Sequence, residues 1–242
     1  MQRQVPSTYL LIGDGRLAKH LAHYFVARGL ACEQWCRRHH KQSALAAMAR
    51  KADYILLLIS DDSIDKFIRQ HSFLQEKPLI HCSGALNSSY SQACHPLMTF
   101  GAELYPLSLY PTIPFVCDEG FDFECVFPQL NNPHFKLPQS KKVMYHAMAV
   151  MAANFPQFIW QHVLQGWQDT LHLPQKILQP LIRQSLLNSF QSPEEAPTGP
   201  FVRNDQQTIH NHKQVLANTE LAELYRCFDH WLNKKDDEDM ML

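Results

Sequence analysis

The pattern of hydrophobic and polar positions changes twice near the start of the chain. An unbroken apolar run from Tyr9 to Ile12 meets Gly13, and Gly15 follows. Apolar side chains then recur at helical spacing at Leu17, Leu21, Ala22, Phe25 and Val26. A short apolar run bounded by glycine indicates a buried strand, and recurrence every three or four residues is typical of an amphipathic helix. The stretch therefore predicts a strand, a tight turn and a helix in succession.

Strand-like and helix-like patterns then alternate as far as about residue 138. Apolar runs predict strands at 31–36, 54–59, 78–82 and 109–117, and periodic segments predict helices at 43–51 and from residue 61. Such alternation is typical of βαβ units that build a parallel sheet. Prolines interrupt the last run, which predicts an edge strand, and residues 120–139 are expected to be irregular.

The pattern beyond residue 138 is helical throughout. Residues 141–155 are apolar on almost every side, which predicts a buried helix, and further helices are expected at 158–167, 174–190 and 205–231. We therefore predict an α/β fold in two domains. Residues 1–138 form a Rossmann-type domain with a mainly parallel sheet, and residues 139–242 form a small all-helical domain.

The glycine turn is the strongest functional signal in the chain. Gly13 permits a sharp turn, Gly15 lets the backbone approach a pyrophosphate, and Ala18 lets the helix pack closely on the strand. The helix N-terminus presents free N–H groups and a positive dipole end to phosphates. The pattern favours a dinucleotide site. A Rossmann-type turn that has lost its ligand, or one that holds a different adenine nucleotide, is left open.

The end of the second predicted strand favours NADP over NAD. Arg37 and Arg38 stand where dinucleotide folds meet the adenosine ribose, and arginine accommodates a 2′-phosphate there. A solvated basic turn is the alternative. Two later strand ends, at Ser60 and Ser83, are expected to face the same crevice, and Asp61 is expected to be a helix N-cap. The predicted cofactor residues are Gly13, Asp14, Gly15, Arg16, Leu17, Arg37, Arg38, Ser60 and Ser83.

Composition and charge exclude several classes of function. The chain has 242 residues, 45% of them hydrophobic, and a formal net charge of −1, which argues against bulk attraction to nucleic acid or to an anionic membrane. Its apolar runs are shorter than a membrane span. Seven cysteines and 14 histidines show no metal-ligand spacing. We expect a cytoplasmic protein with reduced thiols and no catalytic metal.

Several separated motifs occur in an order that resembles a known family. They are Gly13-Asp-Gly-Arg-Leu-Ala, Ser60-Asp-Asp-Ser-Ile, His81-Cys-Ser-Gly-Ala, His95-Pro-Leu, Tyr145-His-Ala-Met-Ala, Asn154-Phe and Thr198-Gly-Pro-Phe-Val-Arg. The order is similar to that of Rossmann-like NADP oxidoreductases with a helical C-terminal domain of unknown function. The proteins of that family look like distant relatives of ketopantoate reductase, pyrroline-5-carboxylate reductase and 6-phosphogluconate dehydrogenase. The resemblance implies an NADP-binding domain, a helical domain that often dimerises, and an active site between them.

The chain departs from the family pattern at two places. The segment between Gly120 and Lys141 is short for the helix and strand expected there, and Asn204 replaces a glycine after Arg203. Both departures affect the substrate side of the expected site more than the cofactor side.

The first helix after the Rossmann domain carries the candidate chemistry. In the related dehydrogenases a lysine and an asparagine one turn apart on this helix face the substrate. Here Lys142, His146, Val150 and Asn154 follow one another at spacings of four, roughly along one face. His146 is the candidate acid or base and Asn154 the candidate orienting amide. A structural histidine is the alternative for His146, and Lys142 is expected to be solvated.

The predicted function is that of an NADP-dependent oxidoreductase. It would transfer a hydride to or from a small, anionic carbonyl, imine or hydroxy substrate, with Arg203 as the substrate anchor, although Arg203 can equally form a structural turn with Asp205. His95 is expected to be a turn residue, and the alternative is that it lines the same crevice. The other function considered is that of a non-catalytic dinucleotide-binding or sensing protein. A homodimer is expected, because an apolar helix suits a core shared by two copies.

Overall fold

The structure is a computed structural model that describes residues 7–239, except for the side chains of residues 234–239. The chain divides into two compact units, of which the first ends at Phe155 and the second begins at Pro156. The division expected near residue 138 remains a prediction.

The first unit is built on a seven-stranded sheet with the order β2-β1-β3-β4-β5-β6-β7. Every neighbouring pair is parallel except β5 and β6. The strands are β1 Thr8–Ile12, β2 Ala31–Trp35, β3 Tyr54–Leu57, β4 Leu79–His81, β5 Gln92–Pro96, β6 Phe115–Asp118 and β7 His134–Leu137. The prediction of a Rossmann-type, mainly parallel sheet is confirmed.

Helices of the first unit follow the strands. They are α1 Arg16–Ala27, α2 Gln42–Lys51, α3 Asp61–Gln70 and α4 Phe123–Val126, with short 3₁₀ helices at Ser72–Glu76, Tyr110–Thr112 and Gln139–Lys141. A fifth helix, α5 Lys142–Asp169, begins in this unit and ends in the second.

Strand β1 is apolar at every position after Thr8 because both of its faces are buried. Tyr9 and Leu11 belong to one hydrophobic cluster, which includes Phe25 of α1. Leu10 and Ile12 belong to a second cluster, formed with residues of α2 and α3. A strand covered on both faces has no polar alternation, which is why an unbroken apolar run predicts it correctly.

Two predictions for the part after β5 are wrong. The segment expected to be an edge strand is β6, which pairs with β5 on one side and β7 on the other, so β7 is the edge. Residues 120–139 contain α4 and β7 rather than irregular chain. Asp122 caps α4 by accepting a hydrogen bond from the Cys125 N–H at 3.0 Å. A short helix and a short strand are therefore present in this segment.

The second unit is helical. After the end of α5 it contains α6 Gln179–Gln191, α7 Gln206–Leu216 and α8 Leu221–Asp239, with a 3₁₀ helix at Gln175–Leu178. Two predicted helix boundaries are wrong. Helix α5 continues through Pro156 instead of breaking before it, and the segment 205–231 is divided between α7 and α8. No helix in the described part of the chain is long and apolar enough to cross a membrane.

A buried helix was predicted at residues 141–155. For the single chain this prediction is wrong. In α5, Lys142 is the buried residue among those described. Large apolar side chains lie exposed along it instead: Val143, Met144, Met148, Met151, Phe155 and Phe158. Apolar surface of this extent usually marks a contact with another protein surface.

Candidate functional site

The turn between β1 and α1 has a backbone that only glycine fits. Gly13 has a φ of +140°, and a Cβ atom there would lie 2.2 Å from the carbonyl oxygen of Leu58. Its N–H donates to the Trp35 carbonyl at 2.9 Å, and its carbonyl accepts from Nε2 of Gln34 at 2.6 Å. These contacts hold the turn against the ends of β2 and β3.

The start of α1 is open to an anion. Gly15 is the N-cap residue, and no side chain caps the helix. A Cβ atom on Gly15 would meet no heavy atom within 4 Å, so space lies directly in front of the turn. Because the first N–H groups of a helix have no intrahelical partner, this end can donate hydrogen bonds to phosphate oxygens.

All nine predicted cofactor residues line one cleft. The cleft has a volume of about 510 Å³ and also includes Trp35, Cys36, Asp61 and Phe67 among its lining residues. The structure brings these positions together because the carboxyl ends of β1, β2, β3 and β4 meet at one edge of the sheet.

Arginines form the rim of the cleft beyond β2. Arg38 is 75% exposed at its side chain and lies 3.4 Å from a carboxylate oxygen of Asp14, and Arg37 is also exposed. Potential metal-ligand atoms of Asp14, Cys36 and His39 lie within 4.8 Å of one another. Since Asp14 already pairs with an arginine and two arginines adjoin the group, the local charge favours an anion over a cation.

The ends of β3 and β4 are joined by a side-chain hydrogen bond. Ser83 donates from Oγ to Asp61 at 2.5 Å, and the same Oγ accepts from the Leu86 N–H at 3.0 Å. The prediction that Asp61 caps α3 is wrong: Ser60 is the N-cap and Asp61 the first helical residue. The carboxylate of Asp61 instead fixes the loop after β4 at the edge of the cleft.

Lys142 is a residue whose role the sequence did not reveal. It was expected to be solvated, but it is 4% exposed. Its ammonium group donates to the Leu86 carbonyl and lies 3.2 Å from Oδ1 of Asp118. Oδ2 of Asp118 accepts from the Ala93 N–H at 2.7 Å. The pair anchors the first turn of α5 to β5 and β6, and its 24-residue separation leaves no local sequence signal.

His146 lies one turn further along α5, against the loop after β4. A Cβ atom on Gly84 would lie 2.6 Å from Cδ2 of His146. The ring centroid of His146 is 5.8 Å from that of His95. His95, which was expected to be a turn residue, lies in β5, and its Nδ1 is 2.7 Å from the hydroxyl of Tyr145. Two histidines and a tyrosine therefore meet beside Ser83 and Gly84.

Burial favours the neutral forms of His81, which is fully buried, and of His95 and Tyr145, which are partly buried. Burial, aided by His146, lowers the pKa of His95 to about 4. Burial, aided by Lys142, lowers the pKa of His81 to about 4. Burial raises the pKa of Tyr145 to about 12. Near neutral pH both histidines are uncharged and the tyrosine keeps its proton.

Asn154 lies apart from this group, and Arg203 belongs to the second unit. Asn154 is exposed and follows His146 by two turns of α5, or about 12 Å of axial rise. Arg203 is exposed in the second unit, in the turn before α7. The following Asn204 adopts a φ of +51°, the left-handed conformation that asparagine tolerates where glycine is common. Roles for Asn154 and Arg203 remain predictions.

Two comparisons bear on the family to which the chain is similar. Residues 123–230 match the model of a domain of unknown function, DUF2520. This agrees with the resemblance based on motif order, which includes a C-terminal domain of unknown function. A comparison with curated protein sequences found no match.

Solved structures share the fold over almost the whole chain. A Bacteroides fragilis protein assigned as an NADP oxidoreductase aligns with a TM-score of 0.75 at 19% identity, over 95% of this chain and 98% of that one. A Streptomyces aurantiacus imine reductase gives 0.62 at 12%, over 96% and 95%. Plasmodium falciparum pyrroline carboxylate reductase, with NADP bound, gives 0.56 at 12%, over 90% and 96%. The predicted resemblance to Rossmann-like oxidoreductases is thus confirmed, and at these identities it shows the fold alone.

Proposed function

We propose that the protein is an NADP-dependent oxidoreductase acting on a small carbonyl, imine or hydroxy substrate. The observation that carries the proposal is the convergence of the nine predicted cofactor residues on one cleft. The names of the three structural relatives, two reductases and an assigned NADP oxidoreductase, support the same class of reaction.

The cleft residues fit the parts of a dinucleotide phosphate. The uncapped end of α1, at Gly15 and Arg16, would hold the pyrophosphate. Arg37 and Arg38 would hold the 2′-phosphate, to which an arginine can donate two parallel hydrogen bonds. Ser60 and Ser83 would adjoin the nicotinamide end. When bound, NADP supplies hydride transfer, and the chain supplies binding, orientation and proton handling.

The substrate side rests on three further residues. His146, beside the loop after β4, is the proposed acid or base. Asn154 would orient a substrate oxygen, and Arg203 would bind an anionic group of the substrate. Like the pyrroline carboxylate and imine reductases, the protein would then take a small molecule as its partner. A cytoplasmic location is part of the same proposal.

Titration with NADPH and with NADH, followed by nicotinamide fluorescence, tests the cofactor. Replacing Arg37 and Arg38 by alanine removes charge-assisted hydrogen bonds to a 2′-phosphate, each worth about 1.5–3 kcal/mol. We expect the double variant to bind NADPH at least about tenfold more weakly and NADH with little change. Arg50→Ala, which removes an exposed arginine of α2, is the matched control. No binding of either dinucleotide to the wild type would refute the proposal.

We also propose that the protein is a homodimer formed through the exposed apolar face of α5. Val143, Met144, Met148 and Met151 are each at least 60% exposed in the single chain, and homodimer interfaces are rich in such side chains. Light scattering during size-exclusion chromatography should give twice the 28.0 kDa chain mass. A monomer at micromolar concentration would contradict the proposal.

One observation favours the second candidate, a non-catalytic dinucleotide-binding protein. The lysine–asparagine pair expected from the related dehydrogenases is not evident on α5, and the lysine that α5 does carry at its start, Lys142, has its ammonium group buried against Asp118. NADPH binding without consumption of NADPH across a panel of carbonyl and imine substrates would support the sensing function and exclude the enzymatic one.

A further inference from the structure

The hydrogen-bonded pair of Tyr145 and His95 has no part in the function proposed so far. Resting on that function, but in place of His146 as the direct acid, we propose that Tyr145 is the catalytic proton donor to the substrate and that His95 is the positioning residue that returns a proton to it. The two residues come from α5 and β5, which the Lys142–Asp118 pair holds together.

The pair lies next to the cofactor cleft. Tyr145 and His95 line a small cavity together with Ser83, Gly84 and Lys142, and Ser83 also lines the cleft. His95 lies near the carboxyl end of β5, which runs parallel to β4. Ligands of open α/β sheets bind beyond the carboxyl ends of such strands, so this is the side on which a substrate would meet the nicotinamide.

The surrounding charges leave few groups that can give a proton. Asp118 is paired with Lys142, and Asp61 accepts from Ser83. His81, buried at the end of β4, accepts the Ser83 N–H on Nδ1 at 3.2 Å. His146 is the remaining titratable group beside His95. The Tyr145 hydroxyl, by contrast, carries a proton that it can donate and is hydrogen-bonded to a histidine that can replace that proton.

The neutral state of both partners suits a relay. Burial raises the pKa of Tyr145 to about 12, so the hydroxyl holds its proton until a stronger base forms nearby. An alkoxide that develops as a carbonyl carbon gains a hydride is such a base. Burial lowers the pKa of His95 to about 4, so the ring is uncharged and keeps one nitrogen able to accept.

The proton passed to the substrate is replaced from solvent by way of His95. As the substrate's carbonyl carbon gains a hydride, the Tyr145 O–H bond breaks and a substrate O–H bond forms. The proton on Nδ1 of His95 moves to the Tyr145 oxygen, and Nε2 takes up a proton from water or from His146. His95 ends neutral in its other tautomer, and the net proton comes from solvent. The reacting group must accept a proton, as a carbonyl does and a permanently charged iminium does not.

Tyr145→Phe tests the donor with little change in shape. We expect kcat for the best carbonyl substrate to fall about 10²–10⁴-fold, as the loss of a general acid does, with the NADPH Kd within twofold of wild type. An N-alkylated iminium substrate, which needs no proton, should react at the wild-type rate. Tyr225→Phe is the matched control, since Tyr225 makes the same bond to Nδ1 of His212, at 2.8 Å, in the second unit.

His95→Gln tests the relay separately. We expect it to lower kcat less than Tyr145→Phe does. It should also change the pH profile of kcat, which the loss of a purely structural residue would not change. Circular dichroism checks that the variant is folded. Wild-type kcat for carbonyl reduction in Tyr145→Phe would overturn the relay alone. A wild-type protein that binds no NADPH, or binds it without turnover, would overturn the proposed function and the relay with it.

Discussion

Gly13 and Gly15 differ in what a side chain would meet, although they stand two positions apart. Gly13→Ala places a Cβ against the Leu58 carbonyl and strains a φ of +140°. We expect it to lower the free energy of unfolding by about 2–4 kcal/mol, since backbone strain costs about 1–3 kcal/mol and overpacking a similar amount. Urea denaturation followed by circular dichroism measures the change.

Gly15→Ala is the companion variant. Its Cβ would enter open space, so the free energy of unfolding should stay within about 0.5 kcal/mol of wild type, the range of ordinary surface substitutions. Its NADPH affinity should nevertheless fall, because the methyl group occupies the space proposed for the pyrophosphate. If Gly15→Ala binds NADPH as the wild type does, the pyrophosphate does not lie at this turn.

The residues proposed to bind the cofactor are predictable from the sequence, and the pair proposed to transfer a proton is not. Gly13, Arg37, Ser60 and Ser83 each end a predicted parallel strand, and parallel strands end at one edge. The bond between Tyr145 and His95 joins residues 50 positions apart. No periodicity or spacing encodes such a contact, because it depends on where α5 crosses the sheet.

At the level of elements, the Lys142–Asp118 pair predicts a large effect from a single substitution. Lys142→Met retains much of the apolar stem but leaves the buried Asp118 carboxylate without its cation. Removing one partner of a buried ion pair typically costs about 3–5 kcal/mol. We expect a loss of that order in the free energy of unfolding from urea denaturation.

The double variant Lys142→Met/Asp118→Asn distinguishes a lost pair from lost packing. It should recover part of the stability, because no uncompensated charge stays buried. Equal stability of the single and double variants would show that the ion pair does not anchor α5.

Element prediction succeeded where burial is regular. Strand β1 and helix α1 have the expected periods because each packs against a continuous core. Strand β7 has four residues, whose polar and apolar side chains alternate, but Phe135 is 60% exposed, so the alternation is too short, and too poorly matched to burial, to identify the strand. Helix α5 passes through Pro156, although an interior proline removes one backbone hydrogen bond and disfavours a helix, so the proline signal misplaced the boundary.

For the whole molecule, the neutral histidines predict how stability depends on pH. The pKa values of His81 and His95 are lowered to about 4 in the folded protein, against about 6.5 in an unfolded chain. Below pH 6.5 the unfolded state binds more protons, so the free energy of unfolding falls as the pH drops towards 4. The expected loss is on the order of 3 kcal/mol per histidine.

Thermal unfolding between pH 7 and pH 4 measures this dependence. His95→Gln removes one of the two groups and should flatten the curve by about half in that range, whereas His39→Gln, at an exposed turn, should leave it unchanged. A flat wild-type curve between pH 6.5 and 4 would show that folding does not lower the pKa values of the two histidines.

The close fit of the His146 ring to Gly84 also limits how this sequence can diverge. A side chain at position 84 would overlap the ring at position 146, since its first atom would lie 2.6 Å from Cδ2. Descendants of a common ancestor can therefore gain a side chain at position 84 only together with a smaller residue, or a displaced ring, at position 146. In an alignment of relatives these two columns should covary, and lineages that retain the imidazole should retain the glycine.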